Sequence, residues 1–255
     1  MARRANPQAA MNLRGHLREL KNRAFASAVF IMVGSIAGWY VFDQVFAAMQ
    51  EPILEVAKNR GIEASVNFGT VGGAFDLRIQ MSVFIGIVLT SPIWLFNTWA
   101  FIRPALKKNE RRYSLGFLLT ALPLFLGGCY IAWIAIPGFV DVLIGMTPQG
   151  SANIINANDY ILFMIRILLV FGLAFVSPVF IVLLNFMGVL TAKAIIKGWR
   201  VATVISAVIA ALATPTADPT SMFLLMVPLM LLYFVAAAIA SLRDRFTAKR
   251  AVASV

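Results

Sequence analysis

The sequence predicts an all-α membrane protein of six transmembrane helices, both ends on the cytoplasmic side, packed as a concave bundle with two short C-terminal spans. Three observations predict it. Hydrophobic residues make up 60% of the 255 residues and charged residues only 13%, with a mean hydropathy of +0.84. Soluble domains run at about 45–50% apolar and about 25% charged. The apolar residues gather into six runs on the scale a bilayer requires. The basic residues fall in alternate connections between those runs.

The first run, Ala24–Phe42, is free of charge. The second, Ile79–Ile102, carries only the amides Gln80 and Asn97. The third is Ser114–Pro137. The fourth, Ile161–Gly188, is interrupted by Arg166. The fifth, Val201–Ala213, has only 13 residues. As a helix it rises about 20 Å, against a hydrocarbon core of about 30 Å. Either it borrows Ile195–Trp199 across Lys197, or the bilayer thins around it. The sixth, Ser221–Ala240, holds Pro228 inside it.

Segments 1–23, 103–113, 189–200 and 241–255 hold 18 of the 22 Lys and Arg residues. The positive-inside rule makes them cytoplasmic. Of the 11 acids only Glu19, Glu110 and Asp244 accompany them. The formal net charge of +11 would suggest nucleic acid in a soluble chain, but this placement assigns it to membrane orientation. A five-span chain would put Arg243, Arg245, Lys249 and Arg250 outside, against the same rule.

Outside lies one long loop, 43–78. Its first part places Val45, Phe46, Met49, Ile53 and Val56 at helical spacing, and Pro52 is expected to kink that helix or start a new one. Asn67–Ala74 is glycine-rich and reads as irregular. Further outer loops span 138–160 and 214–220. No repeat and no soluble domain interrupts the chain, which reads as one membrane domain over 1–255. The N-terminus lacks a cleavable signal pattern, opening with a polar and basic stretch.

No catalytic constellation stands out. His16 is the one histidine and Cys129 the one cysteine, which argues against an acid–base pair, a metal site or a disulfide framework. No mid-span carboxylate marks an ion-coupled carrier. A small-solute permease is the alternative from another class, and it would need a polar midplane site. What remains is Glu19 in G-H-L-R-E-L-K and Glu110 in K-K-N-E-R-R-Y. A carboxylate in a basic field either neutralises its own neighbours or accepts the paired donors of a ligand's guanidinium. The residues alone leave both readings open.

Four stretches carry a resemblance. They are H-L-R-E-L-K-N-R (16–23), S-P-I-W-L-F-N-T-W-A-F-I-R-P-A-L-K-K-N-E-R-R (91–112), F-G-L-A-F-V-S-P-V-F-I-V-L-L (171–184) and A-T-P-T-A-D-P (213–219). In this order they resemble the motifs of the TatC family. The resemblance implies a non-enzymatic receptor and core component of the twin-arginine translocase in the cell membrane, without cofactor. It implies that twin-arginine signal peptides of folded precursors bind at the cytoplasmic face. The implied partners are the TatA and TatB subunits, further copies of the chain, and membrane lipid. By the same resemblance Glu19 and Glu110 contact the twin-arginine motif, Phe101, Pro104 and Arg111 belong to that site, and Pro52 and Asp218 match outer-loop positions of structural or translocation importance.

The sequence departs from the family pattern at Val176, where a fourth-span glutamate is usual, at Phe234, where an acid is common, and at Lys21 and Met222. The apolar replacements imply that partner helices dock here through shape and small residues. Arg166 lies outside the pattern; it either snorkels to the interface or meets an outer-loop acid such as Asp159.

Overall fold

The computed structural model describes residues 13–60, 64–102, 113–145, 153–186, 190–214 and 219–253. They form eight α-helices and two short strands. In chain order these are α1 Leu13–Arg60, β1 Ala64–Asn67, α2 Gly73–Leu89, α3 Ser91–Ile102, α4 Tyr113–Gly145, β2 Asn153–Asn156, α5 Ala157–Phe186, α6 Ala192–Lys197, α7 Trp199–Ala213 and α8 Pro219–Ala253. The predicted helical membrane architecture is borne out. Four helices are long and apolar enough to cross a bilayer, and α2 with α3 make a fifth such unit, bent by 62°.

α1 is one helix of 48 residues. It continues into the predicted outer loop as far as Arg60, passing Pro52, which neither ends nor restarts it. The helical spacing read there holds: Met49, Ile53 and Val56 are buried while Glu51 and Glu55 are exposed. The rest of that loop differs from expectation in part. Residues 68–72 of the glycine-rich stretch form no helix or strand, and α2 begins at Gly73; ahead of them Ala64–Asn67, for which the sequence predicts no element, pairs in parallel with Asn153–Asn156. Partners 89 positions apart in sequence leave no local signal for such pairing.

The second run is two helices bent by 62° rather than one straight helix. Pro92 lacks an N–H and sits in the first turn of α3, where the loss is harmless. Thr90 closes α2 and opens α3: its N–H and hydroxyl both donate to Gly86 O, at 3.0 and 2.7 Å, and its carbonyl accepts from Ile93 and Trp94. The indole Nε1 of Trp94 donates to Ile87 O at 2.9 Å, satisfying a carbonyl that the bend leaves open.

α7 has 15 residues and is shorter than each of the four helices long enough to cross a bilayer, as its sequence predicts. The sixth run is longer than predicted. α8 has 35 residues with an apolar stretch Met222–Asp244, and it passes through Pro228 unbroken. Of the two C-terminal apolar helices only α7 is therefore short.

Close backbone approach holds the bundle. A Cβ on Gly38 would lie 2.6 Å from Ser82 O, and one on Gly86 would lie 2.7 Å from Ile31 O. Gly34-Ser-Ile-Ala-Gly38 of α1 thus meets Ser82, Gly86 and Thr90 of α2, the small-residue contact by which helices associate in lipid. α4 and α5 meet likewise: a Cβ on Gly128 would lie 2.6 Å from Phe171 O. The largest apolar cluster gathers Met49, Leu77, Met81, Ile136, Ile161, Met164 and Leu225.

Candidate functional site

Glu19 lies in the second turn of α1, one turn before Arg23. The guanidinium of Arg23 donates twice to the same oxygen, Nε to Oε1 at 2.9 Å and an NH2 to Oε1 at 2.7 Å. This is the i,i+4 pair that H-L-R-E-L-K-N-R encodes. The other oxygen, Oε2, is enclosed and accepts no hydrogen bond among the described residues. The Glu19 side chain is only 19% exposed. Its near neighbour thus engages one oxygen of the carboxylate, while the other is an acceptor with no donor among the described residues, shut off from solvent.

Packing of α1 against α2 and α3 decides what stands beside Glu19. Each step along α1 is matched by a step back on its neighbours: Gly38 meets Ser82, Gly34 meets Gly86 and Thr90, and Ser27 accepts from Asn97 Nδ2 at 3.0 Å. Ser27 is one turn beyond Arg23. Phe101 is one turn beyond Asn97, on the same face of α3. Phe101 therefore lies toward the same end of the bundle as Arg23, the residue that holds Glu19. The opposite face of α3 is fixed inside the bundle, where Leu95 and Trp99 are buried with Phe125, Val176 and Leu183. Trp94 meets Phe125 edge-on at 5.2 Å.

Of the residues singled out in the sequence, Glu19 and Phe101 come to one end of the bundle. Pro52 does not join them. It is buried in the same helix 33 residues on, about 50 Å away along the axis. Pro104, Glu110, Arg111 and Asp218 lie outside the described residues.

Val176 is 1% exposed and faces the interior beside Trp99 rather than a docking surface. Phe234 is exposed and meets Tyr233 edge-on. The Tyr233 hydroxyl donates to Ile195 O and ties α8 to α6.

The sequence reading missed a polar clasp at this same end. Asp244 of α8 accepts from the Ala192 N–H at 2.9 Å and from Asn185 Nδ2 at 3.2 Å. Arg243 donates to Asn185 Oδ1 at 2.8 Å and to the Asn185 carbonyl. It joins the end of α5 and the start of α6 to α8. A lone acid in the basic tail was the available signal. At the opposite end Arg78 stands 4.9 Å over the rings of both Trp39 and Phe42 and contacts Asp43 at 3.4 Å. It ties α2 to α1.

Residues 15–228 match the sequence model of TatC, the Sec-independent protein translocase protein. Sec-independent protein translocase protein TatC of Xylanimonas cellulosilytica is 38% identical over 240 residues, 94% of this chain and 87% of the relative. TatC of Rothia mucilaginosa is 37% identical over 95% of this chain and 83% of its own length. TatCy of Bacillus subtilis is 31% identical over 95% and 94%. A crystal structure described as the twin-arginine translocase receptor TatC superposes with a TM-score of 0.81 at 29% identity, over 89% of this chain and 98% of that one. The chain belongs to the TatC family, membrane components of the Sec-independent protein translocase and not enzymes.

Proposed function

We propose that this chain is the receptor of its translocase, binding twin-arginine signal peptides of folded precursors at the end of the bundle that carries Glu19. One observation carries the reading most directly: a mostly buried carboxylate with one oxygen committed to Arg23 and the other without a donor among the described residues. An acid so placed gains from a second guanidinium, and Arg supplies two donors in a plane where Lys supplies a point charge. Phe101, toward the same end of the bundle, offers apolar surface for the residues that follow an arginine pair. Pro104, Glu110 and Arg111 follow α3 in sequence and complete the same site. Glu110 provides the second carboxylate.

The membrane placement belongs to the same proposal. The whole chain forms one domain of six spans: α1, the bent α2–α3 unit, α4, α5, α7 and α8. Both termini, the 103–113 connection and the 189–200 connection are cytoplasmic, because 18 of 22 basic residues lie there. The concave bundle receives TatA and TatB helices and further copies of the chain, while Pro52 and Asp218 act on the outer side. Membership of the translocase family sets aside the small-solute permease.

The test replaces Phe101 with a photo-crosslinking phenylalanine in native membranes. Adducts with an Arg-Arg signal peptide, lost with its Lys-Lys counterpart, support the site. Equal adducts with both peptides would refute it.

A further inference from the structure

Arg166 is the singled-out residue that the receptor reading leaves unused. It lies nine residues into α5, whose apolar window has a mean hydropathy of 2.9, the highest among the candidate spans. Met164, Ile165, Ile167 and Leu168 around it are buried, whereas Arg166 is exposed. It shares its face with Leu162, Leu169 and Leu173, at i−4, i+3 and i+7, which are half-buried or exposed. Among the described residues no hydrogen bond or ion pair engages its guanidinium, and the exposed Asp159 lies two turns nearer the helix start.

A guanidinium on a lipid-facing surface needs a ligand, and depth decides which one. On α1, Arg23 and Asp43 are 20 residues apart, about 30 Å of helix and about the thickness of a hydrocarbon core. Arg23 with Glu19 marks one boundary; Asp43 with Arg78 marks the other. On α5, the clasp at Asn185 marks the first boundary, and 19 residues separate it from Arg166, about 28 Å. Two helices thus give one slab, with Arg166 at its edge on the β1–β2 side. Helical side chains lean toward the helix N-terminus, which for α5 is the end beside β2. The methylene stem therefore carries the guanidinium out of the hydrocarbon rather than into it.

At that depth every leaflet presents phosphate diesters, whose oxygens match the paired donors of Arg. We propose that Arg166 binds the phosphate of a phospholipid in the leaflet on the β1–β2 side, with the acyl chains lying along Leu169 and Leu173. Such a lipid fixes the depth of α5, the helix against which α4 and α8 pack. A carboxylate on another membrane helix would be the required ligand only if the guanidinium remained within the hydrocarbon. The inference rests on the membrane placement and is independent of signal-peptide binding.

The test compares wild-type protein with Arg166→Gln and Arg166→Lys, purified in mild detergent and titrated with phosphatidylglycerol under native mass spectrometry. Arg166→Gln is expected to weaken the tightest lipid-binding step about tenfold, as for loss of a charge-assisted hydrogen-bonded pair, with Arg166→Lys in between. Equal titrations for monodisperse wild type and Arg166→Gln would overturn the proposal. So would photo-crosslinking from position 166 in native membranes that gave protein adducts in place of lipid adducts.

Discussion

Gly86→Ala tests whether close backbone contact between α1 and α2 holds the bundle together. An alanine Cβ there would lie 2.6 Å from Ser35 Oγ and 2.7 Å from both Ile31 O and Ser35 N. The hydroxyl can rotate away, but the two backbone atoms are fixed in α1. Restoring a separation of about 3.5 Å moves the helices apart by about 0.8 Å. The contact from Arg78 to Trp39 O, already 3.3 Å, then exceeds hydrogen-bonding length. Overpacking of this kind costs about 1–3 kcal/mol, while alanine returns about 1 kcal/mol of helix propensity. Gly127→Ala supplies the control, since nothing lies within 4 Å of a Cβ at Gly127. Both variants share the propensity gain, so their difference isolates the packing cost. That difference should be about 1–3 kcal/mol, a factor of about five to more than a hundred in the folding equilibrium. Equilibrium unfolding in mixed micelles, followed by the fluorescence of Trp94 and Trp99, reads it. Equal midpoints for the two variants would refute the reasoning.

Asp244→Ala removes the acceptor of the Ala192 N–H, while Asn185 Nδ2 keeps its bond to Leu190 O at 2.9 Å; it should cost about 1–3 kcal/mol for the one orphaned group in the same unfolding assay, with Asp244→Asn in between. Val176→Glu puts a carboxyl among Leu95, Trp99 and Phe125, and should destabilise by about 1–3 kcal/mol; wild-type stability together with stronger partner binding would instead place position 176 on a docking face. Single cysteines at 110 and 250 in a Cys129→Ser background should be labelled only from the cytoplasmic side. Labelling from outside would contradict the six-span arrangement.

Composition made the membrane class legible, because hydrocarbon selects residues by transfer free energy and that leaves long apolar runs. The short α7 was legible for the same reason. The bend at Thr90 was not. The chain has prolines at 52, 123, 137, 178 and 228 inside unbroken helices, and Pro92 looks no different in sequence. Only the double role of Thr90 and the indole bond from Trp94 to Ile87 O set it apart. The pairing of Ala64–Asn67 with Asn153–Asn156 depends on helices that bring distant loops together, so no local pattern announces it. Gly34-Ser-Ile-Ala-Gly38 carries the small-residue spacing of a helix contact, set among the apolar residues of the first run. At the candidate site, the Glu19–Arg23 pair follows from i,i+4 spacing. The unpartnered second oxygen does not, since it depends on how neighbouring structure encloses the carboxylate.

The most direct measurement is the affinity of an Arg-Arg signal peptide, and of its Lys-Lys form, for wild type, Glu19→Gln, Glu110→Gln and the double variant in nanodiscs. A carboxylate that accepts paired guanidinium donors contributes about 1.5–3 kcal/mol, so Glu110→Gln should lose about tenfold or more in affinity for the Arg-Arg peptide, and Glu19→Gln less. The double variant should lose less than the sum of the two, because both acids hold one ligand. The Lys-Lys peptide should bind weakly to all four proteins. Undiminished Arg-Arg binding to the double variant would return Glu19 and Glu110 to the role of surface charges neutralising their own neighbours.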